Sequence, residues 1–274
     1  MHAHALSTLD AAAGSVRRNI DTYTRFNFYR TVGYMARLDA LIWRELVTAQ
    51  TEQGAQGALA EIGVHHGRSF FILASGRSAS EKCLAVDLFE DEPPHTHSRL
   101  GRKVGFRSNC AKYGCEISDD EIIRGSSLEL GAAEIIRRVG HVRFFSIDGG
   151  HMYEHVINDL RLADAVAVGP AIICLDDMFN PLWPEVSIAA FDWLRTAGNR
   201  FVPFLATADK LYLSEASYAQ CYKAVVCESS TLQRRVRRHI SVLSHDTVVL
   251  SASLWARALD RIATALLAKS WQCT

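Results

Sequence analysis

Ala58-Leu59-Ala60-Glu61-Ile62-Gly63-Val64-His65-His66-Gly67-Arg68-Ser69 is the stretch on which the fold turns. Its first five residues form a short, mostly apolar run, which reads as a buried strand when turn residues follow it. The glycines at 63 and 67 let the backbone turn tightly and approach a ligand where a Cβ would collide. A helix starting near Gly67-Arg68-Ser69 would aim its free N–H groups into the crevice beyond the strand's carboxyl end. The spacing, Gly-x-x-x-Gly behind an acid, is not the dinucleotide fingerprint Gly-x-Gly-x-x-Gly.

Further apolar runs follow at 83–86, 121–124, 142–147 and 171–175, separated by helical stretches. Runs this continuous suit parallel strands buried on both faces, and their alternation with helices implies βαβ units. A helix is expected over 185–196. The runs 201–205 and 210–213, split by Thr207-Ala208-Asp209, fit a closing antiparallel hairpin. The expected fold is therefore α/β: a doubly wound, Rossmann-like, seven-stranded, mostly parallel sheet with helices on both faces. Residues 8–50 read as helical, with Leu38, Leu41, Ile42 and Leu46 at helical spacing. The segment 23–34, dense in aromatics and arginine, is either a helix packed on the main domain or a lid over the substrate. Residues 247–250 read as a strand and 254–267 as an amphipathic helix. This gives an N-terminal helical segment (1–56), a core (57–215) and a C-terminal extension packed on the core (216–274).

The chain has 274 residues, 49% apolar and 22% charged, with a formal net charge of zero. That balance gives no global electrostatic case for nucleic acid or an anionic membrane. No apolar run is long enough for a transmembrane helix, and the N-terminus lacks the basic start and apolar stretch of a signal peptide. The seven cysteines include no Cys-x-x-Cys pair, which points to a reducing, cytoplasmic setting without structural zinc. Arg234, Arg235, Arg237 and Arg238 could serve RNA or phosphate; in a neutral chain, a solvated helix face is the better reading.

The candidate site collects at the strand ends. Asp87 closes the second strand about twenty residues past the glycine loop, where an acid can accept both hydroxyls of an adenosine ribose. Ser126 and Ser127, after the third strand, either contact the adenine or cap a helix. Asp148 ends the fourth strand with His151 three residues on, and Asp176 and Asp177 end the fifth. Adjacent strands lie about 5 Å apart, so three carboxylates would share a small volume and repel one another unless neutralised. A hard divalent cation resolves this; magnesium fits, with calcium or manganese as alternatives. Beside such a cation, His151 is suited to act as general base toward a bound hydroxyl.

Together these segments resemble the class I S-adenosylmethionine (SAM)-dependent methyltransferases, and within them the macrocin O-methyltransferase-like group acting on antibiotic sugars. The resemblance covers roughly residues 57–214. It rests on Glu61-Ile62-Gly63-Val64 with Gly67 and Ser69, on Asp87, on Ile147-Asp148-Gly149-Gly150-His151-x-Tyr153, and on Leu175-Asp176-Asp177. It implies that Asp148, Asp176 and Asp177 are metal ligands and His151 the base. It implies too that Glu61, Gly63, Gly67, Ser69, Asp87, Ser126, Ser127 and Asp148 line the donor site. Asp159 falls where relatives carry an acid, and a surface role is expected for it. His65-His66 departs from the pattern and reads as packing or exposed. The implied activity is a Mg2+-dependent transfer of a methyl group to a small-molecule hydroxyl, in a sugar or glycosylated natural product. A cephalosporin hydroxylase-like enzyme, a catechol-type enzyme and a non-catalytic binding protein stay open at this point. A homo-oligomer is compatible with the sequence.

Overall fold

The computed structural model describes residues 2–89 and 103–271. Among the described residues nine strands form one sheet in the order β3-β2-β1-β4-β5-β7-β6-β9-β8. They are β1 (Ala58–Ile62), β2 (Cys83–Asp87), β3 (Ile122–Arg124), β4 (Val142–Ile147), β5 (Ala167–Leu175), β6 (Phe201–Ala206), β7 (Leu211–Glu215), β8 (Val236–Val242) and β9 (His245–Leu250). The helices are α1 (His2–Phe26), α2 (Arg37–Glu52), α3 (Phe70–Gly76), α4 (Lys103–Tyr113), α5 (Ala132–Val139), α6 (Tyr153–Val166), α7 (Pro184–Leu194), α8 (Ala216–Glu228) and α9 (Leu254–Trp271).

The first seven strands follow the expected doubly wound plan. β1 to β5 pair in parallel, and β7 runs antiparallel between β5 and β6. The expectation of seven strands is corrected to nine. The hairpin β8–β9 docks β9 alongside β6, so the C-terminal stretch extends the sheet as well as covering it. The arginine cluster also moves from the expected helix to a turn and edge strand. Arg234, Arg237 and Arg238 are exposed there, where charge discourages pairing with another sheet edge.

Side chains alternate across each strand and split the core in two. Leu59, Phe144, Ile172 and Tyr212 face α1, α2, α3 and α8. Ala60, Phe145, Ile173 and Leu213 face α5, α6 and α7. Val16, Ile20 and Tyr23 of α1 lie in the first of these cores, among α2 and α3 residues, so α1 is a packed helix. Cys83, Cys110, Cys115, Cys174, Cys221 and Cys227 are free thiols; Cys273 lies outside the described residues. Among the described residues no helix is long and apolar enough to cross a membrane.

Candidate active site

Parallel pairing brings the strand ends level. Gly63 N–H donates to Val86 O, Asp148 N–H to Ile62 O and Asp176 N–H to Ile147 O, each at 2.9 Å. Gly63, Asp148 and Asp176 therefore stand in a row at the carboxyl edge, with Asp87 ending β2 beside them. Gly63 has φ +86°, and a Cβ there would lie 1.7 Å from the Asp148 carbonyl oxygen. Gly67 has φ +93°, and its Cβ would meet the Phe71 ring at 2.6 Å. Both glycines were expected to serve a tight turn and the close approach of a ligand. The protein's own packing already requires them.

Around this loop the expected donor residues have defined partners. The Asp87 carboxylate accepts the N–H groups of His65 (2.7 Å) and Phe89 (2.9 Å), fastening the loop to the end of β2. Burial raises its pKa while these backbone donors pull the other way. Glu61 is fully buried, and burial lifts its carboxyl to about 8 against the hydroxyls of Ser69 and Ser146. Ser146 donates to its Oε1 at 3.2 Å, while Oε2 has no partner among the described residues. Ser126 caps the next turn by accepting Leu128 N–H at 3.3 Å, and Asn158 donates to Asp159 Oδ1 at 3.3 Å and to Ser127 O at 2.8 Å. The cap alternative thus holds for Ser126. Asp159 corrects the expectation of a surface role: it is buried beneath Gly149, where a Cβ would sit 3.0 Å from its Oδ2. Burial raises it to about 6. His65 and His66 pack ring to ring at 4.4 Å, and Tyr34 lies 5.8 Å from His65.

The acidic residues divide into an accessible rim and a buried floor. On the rim, ligand atoms of Asp148, His151 and Asp177 all lie within 4.8 Å of one another. His151 Nε2 is 2.9 Å from Asp177 Oδ2, and its ring stacks on Trp183 at 4.5 Å and 16°. Asn180 donates to Asp177 Oδ1 at 2.6 Å. Burial pushes the Asp177 carboxyl up, but the adjacent His151 ring and the hydrogen bond from Asn180 hold it below its ordinary value. Asp177 adopts φ +54°, a strained conformation of the kind that clusters at functional sites. Asp148 goes the other way, raised by desolvation and by the neighbouring Asp176.

Asp176 departs from the three-aspartate arrangement expected of the sequence. Its Oδ1 accepts Asp177 N–H at 2.9 Å, and its other oxygen is ion-paired with Lys210. Lys210, the residue before β7, is only 3% exposed. Desolvation opposes its charge, but Asp176, Asp148 and Asp39 hold it protonated. Asp39 enters from α2 and accepts hydrogen bonds from Tyr212 (2.8 Å) and Thr207 (3.0 Å); burial raises it to about 6. Sequence reasoning missed both residues. The one signal for Lys210 was a charge opening the otherwise apolar run Leu211-Tyr212-Leu213.

Four large apolar side chains stand exposed beside this rim: Met152, Phe179, Leu182 and Trp183. The 690 Å³ cavity between α1, α3 and the end of α4, lined by Tyr23, Phe71 and Tyr113, contains none of these acids.

A doubly wound sheet with a reversed seventh strand, a glycine loop after β1 and acids on the next strand ends is the arrangement expected of a class I SAM-dependent methyltransferase. Residues 60–178 match the family model of a methyltransferase domain. Among solved structures, the chain is similar to the O-methyltransferase NovP, at 15% identity over 65% of this chain and 79% of that one, with a TM-score of 0.53. CalS11, a TDP-rhamnose 3'-O-methyltransferase of calicheamicin biosynthesis, gives 17% identity over 65% and 76%, with a TM-score of 0.48. MycE, solved with Mg, SAH and mycinamycin VI, gives 14% over 73% and 53%, with a TM-score of 0.46. At 15% identity the likeness to NovP is one of fold. No curated protein matches the chain.

Proposed function

We propose that this enzyme is a metal-dependent O-methyltransferase that moves the methyl group of SAM to a hydroxyl of a sugar or glycosylated natural product. The observation that carries this reading is the convergence of Asp148, His151 and Asp177 within 4.8 Å at the mouth of the donor crevice. NovP, which shares the fold, is an O-methyltransferase by name.

The donor would lie along the β1 and β2 ends. Glu61, Gly63, Gly67 and Ser69 form the loop beneath it, Asp87 is placed for the ribose hydroxyls, and Ser126, Ser127 and Asp148 complete the wall. A divalent cation fits the rim, because Asp148 and Asp177 are accessible oxygens in a field of surplus negative charge, with Asp176 just behind. Mg2+ suits oxygen ligands of this kind. Such a cation would lower the pKa of an acceptor hydroxyl and fix its oxygen.

The chain's own groups supply the rest. His151 takes the hydroxyl proton, and Asp177, 2.9 Å from its Nε2, stabilises the imidazolium that results. Stacking on Trp183 holds the ring in one orientation, which matters because displacement at a methyl group requires near-attack alignment. Met152, Phe179, Leu182 and Trp183 offer apolar faces to the acceptor. Free thiols at Cys83, Cys110 and Cys174 suit a reducing compartment such as the cytoplasm.

Calorimetry with SAM, with and without Mg2+, tests donor and metal together. Mass spectrometry of candidate glycosides gaining one methyl group tests the transfer. Activity that survives exhaustive chelation would remove the metal from this proposal.

A further inference from the structure

Helix α9 turns Asp260 and Thr264 toward the body of the protein. Asp260 accepts a hydrogen bond from the Tyr29 hydroxyl at 2.5 Å and from the Arg37 N–H at 3.4 Å, and Thr264 accepts one from Arg68 at 3.1 Å. These two residues, one turn apart, fasten the helix to the body of the protein. The opposite side carries Trp255, Leu259, Ile262 and Leu266, which are 83%, 62%, 56% and 64% exposed. An exposed apolar stripe of this kind marks an interaction surface.

The stripe's pattern says what covers it. Its spacing of four, three and four residues is the a/d seam of a coiled coil, in which side chains of one helix insert between those of another. Both borders of the seam are alanine: Ala256 and Ala263 on one side, Ala258 and Ala265 on the other. Small borders let a second helix backbone come close. An amphipathic helix that lies on a lipid surface carries lysine and arginine on its polar face. Here that face carries the exposed Arg257 and Arg261 beside Asp260 and Thr264, whose internal contacts tie it to the body of the protein, and it is the two-fold pattern of the stripe that favours a second copy.

The pattern is also the same in both directions. Counted outward from the point between Asp260 and Arg261, Leu259 matches Ile262, Ala258 matches Ala263, Ala256 matches Ala265 and Trp255 matches Leu266. A surface with that symmetry is complementary to itself about a two-fold axis, the requirement for an isologous dimer. We infer that two copies of this chain associate through antiparallel α9 helices, Trp255 packing against the partner's Leu266 and Leu259 against the partner's Ile262. The seam from 255 to 266 is about 17 Å long. An interface of that size lies at the small end of specific contacts, so micromolar dissociation is expected.

The test is light scattering on the full chain across a micromolar concentration series. The mass should rise from 30.4 kDa toward twice that value. Leu259→Lys with Ile262→Lys should hold it at the monomer mass with an unchanged circular dichroism spectrum, since both side chains face solvent in the single chain. A short thiol cross-linker applied to a mixture of Ala256→Cys and Ala263→Cys proteins should join position 256 of one chain to 263 of the other, mapped by mass spectrometry. Flotation with phosphatidylglycerol vesicles supplies the opposing arm. A wild-type chain that stays monomeric, with or without binding vesicles, overturns the inference. So does a dimer in which 256 and 263 are never joined, or one that the double lysine variant leaves intact.

Discussion

Near its start β4 buries Arg143, and one residue beyond its end it delivers Asp148, so a single strand joins two charged regions of opposite character. Arg143 is fully buried and satisfied. Glu81 accepts from its Nε at 2.6 Å and its Nη2 at 2.8 Å, and Gln50 accepts from Nη1 at 3.0 Å. Burial pulls the Glu81 carboxyl up, yet Arg143 holds it below its ordinary value. At the other end, burial and Asp176 raise Asp148, Glu61 Oε2 has no partner among the described residues, and burial raises Glu61 to about 8. Buried charge that is matched group for group stabilises one geometry. Surplus carboxylates oppose folding and persist where a ligand or a reaction makes use of them.

The largest effects should separate the two regions most cleanly. His151→Gln should lower kcat by about 10²–10⁴-fold, the range for loss of a positioned general base, with little change in Tm. Steady-state kinetics and a thermal melt on the same preparation check this, and an unchanged kcat would return His151 to a packing role. Glu81→Gln should do the reverse. Leaving Arg143 charged and underpaired in the core should cost about 3–5 kcal/mol of stability, while SAM affinity measured below the melt stays the same.

The difference between the regions also explains what the sequence could tell. Strands β1 and β4 are legible because their apolar runs end abruptly in Gly63 and in Asp148-Gly149-Gly150. Parallel pairing then forces those ends together, so the site's address followed from the fold. Asp39 was hidden because one acid in an amphipathic helix looks like part of its wet face; only the crossing of α2 over the sheet turns it inward. Lys210 was hidden because its partner Asp176 is 34 residues away in the chain and meets it only through the antiparallel pairing of β5 with β7. Asp159 was misread for a related reason, since the close approach of α6 to Gly149 comes from packing. The hairpin β8–β9 was only half visible, because its exposed arginines break the apolar rhythm.

A smaller effect follows from the raised acids. Burial lifts Glu61 to about 8 and Asp39 and Asp159 to about 6, whereas carboxylates of an unfolded chain titrate near 4. Between those limits the folded protein binds more protons than the unfolded chain, so stability falls as pH rises. The contribution is full below about pH 4 and is lost through 6 and then 8. In metal-free protein Tm should therefore decline from pH 5 to 8, and Glu61→Gln should flatten the upper part of that slope. A flat wild-type profile would mean that Lys210 already neutralises Glu61.

The smallest expected effect concerns Lys210 itself, which makes the acidic end of β4 resemble the Arg143 end in part. Its ammonium group is paired with Asp176 and acts on Asp148 and Asp39, so it offsets one charge of the cluster from within. A divalent cation at the rim would meet the same carboxylates and be repelled by that ammonium group. Lys210→Met should then tighten Mn2+ binding by about tenfold, a Coulombic gain screened by the intervening protein, as followed by calorimetry or water-proton relaxation. The same variant should lower the Tm of metal-free protein, because Asp176 loses its partner, and added metal should restore part of the loss. Weaker Mn2+ binding would instead mean that Lys210 orders Asp176 for the cation, and the floor of the site would then be as structural as the pair at the other end of the strand.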